Sequence, residues 1–212
     1  MQKISVGECI RFGWETFKKR PLMIIGAFVI AMAVSGIVSS LLDPGEGAPM
    51  TASNILLSLA SGVVGIFVEI GLVTFSLRAH DRVESVSLKD LWNPSPVLYY
   101  LAGQIIVGVT VLVGLVLLIV PGVIAALGLM FSSYLIIDKN RGPIEAFKES
   151  WRITKGHKWE LFVLLLAIIG INILGLLALV VGLLVSIPVS MLAVVHAYRK
   201  LEHGASELTP AA

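Results

Sequence analysis

The longest apolar segment of this chain is the feature that most constrains its fold. From Leu161 to Tyr198, about forty residues follow one another without an Asp, Glu, Lys or Arg. A helix of about 20 residues crosses a hydrocarbon layer of about 30 Å, so this segment is long enough to cross it twice. Charged residues make up only 14% of the whole chain, and the mean hydropathy is +0.92. The sequence therefore predicts an integral membrane protein and excludes a soluble enzyme, because soluble domains carry about 25% charged residues.

Three further apolar runs predict the remaining spans. They cover Leu22–Leu42, Asn54–Leu77 and Val97–Ile137. Since Pro-Gly interrupts helices, we interpret the third run as a hairpin that turns at Pro121-Gly122. The last run must turn between Leu176 and Leu184 in order to cross twice. The predicted fold is all-α and polytopic, with six transmembrane helices arranged as three hairpins in a single membrane domain over residues 1–212.

The positions of the basic residues predict the orientation. All sixteen Lys and Arg residues lie in four segments that six spans place on one side: the N-terminus through Arg20, the 78–96 and 138–158 loops, and the tail from Arg199. Short cytoplasmic loops are rich in Lys and Arg, so we expect both termini in the cytoplasm and the chain in the cytoplasmic (inner) membrane. No cleaved signal peptide is expected, because about twenty charged and amphipathic residues precede the first span.

The same basic residues suggest the chain's partners. Bases beside membrane spans attract anionic lipid headgroups, so membrane lipids at the cytoplasmic face are the expected partners. Nucleic-acid binding would need a concentrated basic face with side chains that read bases. The scattered bases of this chain give no such face, and we expect no nucleic-acid partner.

Each hairpin is preceded by a segment predicted to form a cytoplasmic amphipathic helix. Ser5-Val6-Gly7-Glu8 matches a capping box, which places a helix start at Ser5. Pro143 suits the first turn of a second helix, and Ser87–Trp92 is a shorter third example. The apolar stripes are Val6, Ile10, Trp14 and Phe17 in the first helix, and Ile144, Phe147, Trp151 and Thr154 in the second. We expect these helices to lie flat in the interface, with Trp14 and Trp151 as anchors at headgroup depth.

The amphipathic segments also align with one another. A shift of 137 residues superposes Trp14 on Trp151 and Lys18 on Lys155. The chain then divides into three possible repeat units, residues 4–80, 85–138 and 142–200, which would be parallel repeats related about the membrane normal. The alternative is that amphipathic helices with one tryptophan before a span look alike for physical reasons alone.

A family resemblance rests on three stretches of the sequence. They are Gly142–Trp151, Pro121-Gly122 together with Phe131–Asp138, and Pro188–Tyr198. These stretches resemble the membrane domain fused to some glycerophosphoryl diester phosphodiesterases, and its stand-alone YciC-like bacterial relatives of uncharacterised type. The resemblance covers almost the whole chain and implies a six-span inner-membrane protein of unassigned activity. It carries over no catalytic residue, because a separate soluble domain performs the chemistry in the fused proteins.

The sequence carries no catalytic signature. His80, His157, His196 and His203 lie at or beyond the span ends, without the spacing that holds a metal, and are interpreted as interfacial polar groups. The single cysteine, Cys9, excludes an internal disulfide. We expect no enzymatic activity, no metal and no cofactor.

Glu69 is the one formal charge inside any predicted span. It lies nine residues before Arg78, about 13 Å along a helix from the cytoplasmic boundary. Because an Asp at a helix centre costs about 2.5–3.5 kcal/mol to insert, we expect Glu69 to face the bundle interior, protonated or paired with Asn172. Two interpretations stay open: a neutral carboxyl bonded to a neighbouring helix, or a proton or cation site. Pro188 should kink the sixth span, as a hinge or as a simple bend.

Small residues recur at four-residue spacing in the spans. The pairs are Gly36 and Ser40, Ser58 and Gly62, Ser61 and Gly65, Ala178 and Gly182, and Ser186 and Ser190. Such pairs let helices pack closely in lipid, and pore lining is the alternative. Two functions follow: transport or permeation of a small solute, ion or amphiphile past Glu69, or a non-catalytic membrane module that organises lipids or partner proteins through its interfacial helices.

Overall fold

The computed structural model describes residues 4–42, 45, 49–93, 96–178 and 181–207, without the side chains of residues 206 and 207. Every regular element within these residues is a helix, which confirms the all-α prediction. The elements are α1 (Val6–Lys19), α2 (Pro21–Leu42), α3 (Ala52–Arg82), a 3₁₀ helix (Leu88–Leu91), α4 (Val97–Leu117), α5 (Ile119–Leu129), α6 (Ser132–Lys139), α7 (Pro143–Ile153), α8 (Lys158–Leu177) and α9 (Leu183–Glu207).

Six helical segments are long and apolar enough to cross a membrane, as predicted. They are α2, α3, α4, the pair α5 and α6, α8 and α9. The pair α5 and α6 forms one span that is interrupted at Met130 and Phe131. Since each span reverses the direction of the one before, α1, the 3₁₀ helix and α7 lie at the same end of the bundle as the described Lys and Arg residues. We call this the basic end, and the opposite end the far end.

The turn inside the second hairpin differs from the prediction. α4 ends at Leu117, Leu118 is extended, and α5 begins at Ile119. The predicted turn at Pro121-Gly122 is therefore wrong, because both residues belong to α5. Proline is tolerated in the first turn of a helix, where its missing N–H has no intrahelical acceptor in any case.

The other two far-end turns have different outcomes. α8 ends at Leu177 and α9 begins at Leu183, which confirms the predicted turn between Leu176 and Leu184. The connection between α2 and α3 is described only at Gly45 and from Pro49 onward.

The packed core lies in the half of the bundle next to the basic end. The buried residues of α2 lie between Ile24 and Ala31, and those of α3 begin at Ile70. Helix α9 is central and contacts α1, α2, α3, α7 and α8. In the far half, α2, α3, α4 and α8 expose large apolar side chains. Helix α3 makes only sparse contact with α4.

Helix α1 is docked on α9. The Ser5 hydroxyl accepts a hydrogen bond from the Glu8 backbone N–H at 3.4 Å, so the predicted helix start is confirmed. A Cβ on Gly13 would lie 2.5 Å from the Val189 carbonyl oxygen, which shows how closely the backbones approach. The buried face consists of Cys9, Gly13, Thr16 and Phe17. Of the predicted apolar stripe, only Phe17 belongs to this face, because close helix packing requires small residues.

Helix α7, like α1, buries a face that differs from its predicted apolar stripe. It begins at Pro143, as predicted, and buries Ala146, Ser150 and Ile153, while Ile144 of the predicted stripe is exposed. The Ser150 hydroxyl donates to the Gly128 carbonyl at 2.9 Å, beside the break between α5 and α6. Under the shift of 137 residues, the buried faces of α1 and α7 occupy equivalent positions. The repeat itself stays a prediction.

Candidate functional site

Glu69 belongs to a polar cluster that joins α3, α4 and α6. Gln104 Nε2 donates to Glu69 Oε1 at 3.5 Å and to the Tyr100 hydroxyl at 2.9 Å. The Ser133 hydroxyl donates to Gln104 Oε1 at 3.5 Å. The Tyr100 hydroxyl also lies close enough to interact with the Glu69 carboxylate. We call Glu69, Tyr100, Gln104 and Ser133 the Glu69 cluster.

The prediction that Glu69 faces the bundle interior and pairs with Asn172 is wrong. The Glu69 side chain is exposed at the sparse contact between α3 and α4. Asn172 Nδ2 donates to the Ser190 hydroxyl at 3.2 Å, and Asn172 Oδ1 accepts from the Ser186 hydroxyl at 2.8 Å. Asn172 thus faces α9 across the last hairpin. The signal that could have identified Gln104 is its four-residue spacing from Tyr100, which places both side chains on one face of α4.

A stripe of small side chains leads along α3 to Glu69. Ser58, Gly62, Gly65 and Glu69 follow one another at three- and four-residue spacing and so share one helix face. A Cβ on Gly62 or Gly65 would meet nothing within 4 Å, so the prediction that these glycines pack against another helix is wrong. The same face continues to Val73, which is buried. The open stripe therefore runs about 16 Å from Ser58 and ends at Glu69.

The small pairs near the last turn do pack. A Cβ on Gly182 would lie 2.5 Å from the Gly175 carbonyl oxygen, so α8 and α9 approach closely at this point. Ser186 and Ser190 are buried and bonded to Asn172. Pro188 lies between them inside α9, which continues through it. The kink at Pro188 stays a prediction.

A charged network closes the basic end of the bundle. The Arg199 side chain is only 11% exposed. Its guanidinium donates to Asp81 at 2.6 and 3.1 Å and to Asp138 at 2.7 and 3.0 Å. The Tyr198 hydroxyl donates to Asp138 at 3.0 Å. Because paired charges compensate each other's desolvation, this network holds α3, α6 and α9 together where they meet.

Two histidines lie beside this network. His80 Nε2 and His196 Nδ1 are 3.1 Å apart, and the Phe12 ring stacks on His196 with centroids 4.2 Å apart. Glu8 lies next to this pair and accepts a hydrogen bond from Lys200 Nζ at 2.7 Å, which lowers the pKa of Glu8. The interpretation of these histidines as interfacial groups missed their pairing. The sequence gives no signal for it, because 116 positions separate them.

Trp14 and Trp151 both lie at the basic end. Trp14 is 45% exposed, with Lys18 Nζ 5.9 Å from the ring centroid. Trp151 is 39% exposed and covers Gly128, where a Cβ would lie 2.5 Å from the ring. Lys158 Nζ lies 3.5 Å from the Trp151 ring centroid. Anchoring at headgroup depth stays a prediction for both residues.

The Glu69 cluster consists of groups that donate or accept hydrogen bonds. One carboxyl group stands beside a phenol, a carboxamide and a hydroxyl, so Glu69 is the one carboxylic acid among the four side chains. Within the ranges that the structure describes, no three His, Cys, Asp or Glu side chains are placed to hold a metal ion. The carboxyl and hydroxyl oxygens of the cluster are available as hydrogen-bond acceptors.

Six apolar helical segments, with α9 at the centre, define a multi-pass α-helical membrane protein. The comparison with known families makes this class more specific. The chain belongs to the family described as "Protein of unknown function (DUF975)", whose model matches residues 55–205.

Curated relatives of the chain are also uncharacterised. It is 26% identical over 226 aligned positions to "Uncharacterized protein Rv2560" of Mycobacterium tuberculosis (strain ATCC 25618 / H37Rv), covering 94% of this chain and 69% of that protein. "Uncharacterized protein Mb2590" of Mycobacterium bovis matches with the same identity and coverage. No solved structure matches the chain. These matches agree with the resemblance to uncharacterised membrane proteins and give no support to a link with the phosphodiesterases.

Proposed function

We propose that this protein mediates transport or permeation of a small solute, ion or amphiphile. The observation that carries the proposal is the exposed Glu69 carboxyl group at the inner end of the open stripe on α3. An ionised acidic group at the centre of a membrane helix costs about 2.5–3.5 kcal/mol when lipid surrounds it. Water along the open stripe, or a bound proton or cation, removes that cost. We therefore infer that water reaches the exposed Glu69 along this stripe.

The contacts of Glu69 support exchange of a ligand. Its described partners, Gln104 and Tyr100, are neutral, whereas Asp81 and Asp138 are ion-paired with Arg199. Glu69 can therefore bind and release a proton or cation without breaking an ion pair. The stripe is open toward the far end, and the network around Arg199 closes the basic end. We infer a transport path that is open to the far end of the bundle. The solute or ion can reach the opposite side of the membrane only when the network at the basic end rearranges.

The proposal includes an orientation and a location. The basic end faces the cytoplasm, both termini lie there, and the membrane is the cytoplasmic (inner) membrane. The concentration of Lys and Arg at that end supports this orientation. The proposed function is passage of a small solute, ion or amphiphile across the membrane, and it includes no catalytic step.

Accessibility of the stripe to water tests the proposal. In a Cys9→Ala background, we expect Gly65→Cys to react with a membrane-impermeant maleimide added on the far side. Gly170→Cys on α8 is the matched control, because a Cβ there also meets nothing within 4 Å. The control should stay unlabelled, because Gly170 lies outside the stripe on α3. Protection of both cysteines, or equal labelling of both, would contradict a hydrated stripe that is specific to α3.

Flux through reconstituted vesicles tests the role of Glu69. The probe is proton movement, followed with a pH-sensitive dye enclosed in the vesicles. We expect wild-type protein to raise proton flux above that of protein-free vesicles, and Glu69→Gln to abolish the increase. Glu145→Gln removes an exposed carboxylate from α7 and should retain wild-type flux. Wild-type protein without added flux, or Glu69→Gln with full flux, would refute a proton path.

A second candidate function is a non-catalytic module that organises lipids or partner proteins. It is favoured by Trp14 and Trp151, which are partly exposed at the basic end with a lysine ammonium over each ring. Such aromatic and cationic pairs suit headgroup depth. A sealed stripe together with a silent Glu69→Gln variant would favour this second function over transport.

A further inference from the structure

The 3₁₀ helix crosses one face of α3 and divides it into two parts. Val64, Val68, Gly71, Arg78 and Arg82 share this face, because they follow one another at intervals of four, three, seven and four residues. At the crossing, the Leu91 carbonyl of the 3₁₀ helix lies directly against Gly71, where any Cβ would collide with it. The apolar part of the face lies toward the middle of the membrane, and the two arginines lie toward the basic end.

The 3₁₀ helix is held in place by charge. Asp90 Oδ2 accepts a hydrogen bond from the Ser87 backbone N–H at 2.8 Å, which closes the helix start. Arg78 pairs with the other oxygen of Asp90. Desolvation raises the pKa of Asp90, but the hydrogen bond from Ser87 and the contact with Arg78 outweigh it and lower this pKa overall. The charge of Arg78 is therefore compensated within the protein.

An apolar cavity of about 310 Å³ lies on the membrane side of the 3₁₀ helix. Its walls come from α2, α3 and the 3₁₀ helix segment, and include Ala31, Val64, Phe67, Leu88 and Trp92. The Trp92 ring stacks on Phe67 with centroids 5.7 Å apart. Leu88 is 43% and Trp92 is 70% exposed, so the outer edge of the cavity is open. A volume of this size lies at the lower end of pockets that hold small ligands.

Two polar cavities lie on the other side of the 3₁₀ helix. One, of about 270 Å³, is lined by Arg78, Arg82, Ser85, Val86 and Asp90. The other, of about 450 Å³, shares Arg82 and Ser85 with it and also includes Lys19 and Glu84. Arg82 therefore faces both cavities.

The free charges around these cavities favour an anion. Among the ion pairs and side-chain hydrogen bonds of the described residues, none involves the side chain of Lys19 or Arg82. Asp81 and Asp90 are paired with Arg199 and Arg78. The formal charges that lack a partner are then Lys19, Arg82 and Glu84, and their balance is positive.

The spacing of the cavities matches half a bilayer. Arg82 lies fourteen residues after Val68 on α3, which corresponds to about 21 Å along the helix axis. Half of a hydrocarbon core is about 15 Å thick, and the headgroup layer adds about 5–7 Å. If Val68 lies near the middle of the membrane, Arg82 lies at the level of lipid phosphates. The apolar cavity then lies at the depth of acyl chains.

We propose that these cavities form a binding site for an anionic phospholipid. Its phosphate group contacts Arg82, and one acyl chain passes the open edge of the 3₁₀ helix at Leu88 and Trp92 to enter the apolar cavity. The positive balance of the free charges selects a headgroup with a net negative charge over a zwitterionic one. The site is separate from the Glu69 cluster and does not depend on the proposed transport function.

Binding of fluorescently labelled phosphatidylglycerol to the full chain in detergent tests the phosphate contact. Arg82→Gln should weaken binding about fivefold, because one basic residue near headgroups contributes about 1 kcal/mol. Lys155→Gln is the matched control, since it removes an exposed cation from the same end outside these cavities. Glu84→Gln should tighten binding, because it removes a repelling carboxylate. Equal effects of Arg82→Gln and Lys155→Gln, or unchanged binding with Glu84→Gln, would overturn the proposal.

Two further measurements test the acyl chain and the source of the phosphate. Val64→Trp fills the apolar cavity and should weaken binding of labelled phosphatidylglycerol, so wild-type affinity in this folded variant would overturn the chain placement. Unlabelled phosphatidylglycerol should displace the probe far better than phosphatidylcholine or inorganic phosphate. Inorganic phosphate that competes as well as the lipid would assign the site to free phosphate and refute the lipid. If Val64→Trp fails to fold, the opposite effects of Arg82→Gln and Glu84→Gln still decide the proposal.

Discussion

Replacement of Gly13 by alanine should loosen α1 from α9. The new Cβ would lie 2.5 Å from the Val189 carbonyl oxygen and 3.2 Å from the Ala193 backbone nitrogen, and neither atom can rotate away. Overpacking of this kind costs about 1–3 kcal/mol. The matched control is Gly7→Ala in the same helix, where a Cβ would meet nothing within 4 Å. Both variants gain helix propensity, so the difference between them isolates the steric cost of about 1–3 kcal/mol.

Cys9 provides the assay for this prediction. It is fully buried between α1 and the bundle, and its burial raises the thiol pKa to about 11. Because the thiolate is the reactive form, alkylation of native Cys9 by a maleimide should be slow at neutral pH. If α1 must open before Cys9 reacts, a loss of 1–3 kcal/mol in Gly13→Ala accelerates alkylation between about fivefold and 150-fold. Gly7→Ala should react at the wild-type rate or more slowly.

A common alkylation rate for Gly13→Ala, Gly7→Ala and the wild type would contradict this prediction. Helix α1 would then not depend on the close approach of Gly13 to α9. Rapid alkylation of wild-type Cys9 at neutral pH would also contradict the burial of the thiol.

Two further predictions concern the basic end and the orientation. Arg199→Met should lower the free energy of unfolding by about 1.5–3 kcal/mol, because the half-buried Asp138 loses its two-point contact and, among the described cations, keeps only Lys139 at 3.8 Å. Denaturant titration of the detergent-solubilised protein measures the loss, and a change below about 0.5 kcal/mol would show that the network does not hold the helices. On intact cells in a Cys9→Ala background, an impermeant maleimide should label Met50→Cys and spare Lys89→Cys, and the reverse pattern would overturn the proposed orientation.

The membrane class, the six spans and the turn between Leu176 and Leu184 were predictable from the sequence. These features depend on the hydropathy of continuous segments, which is a local property of the chain. The helix starts after Ser5 and at Pro143 were predictable for the same reason, because capping involves residues within one turn. The turn at Leu118 was missed because proline suits a helix start as well as a break.

Which face of each helix is buried, and which distant residues meet, became visible in the three-dimensional structure. Glu69 contacts Gln104 and not Asn172, because the rotation of each span about its axis is set by its packing against neighbouring helices. The apolar stripes of α1 and α7 were identified from the sequence, but apart from Phe17 and Ile153 the buried faces consist of smaller residues such as Gly13. Hydropathy favours burying large apolar side chains, whereas in a membrane those side chains can face lipid and small ones let helix backbones approach. Which of the two arrangements a helix adopts depends on the helix it packs against. A pattern within one segment of the sequence therefore does not predict it.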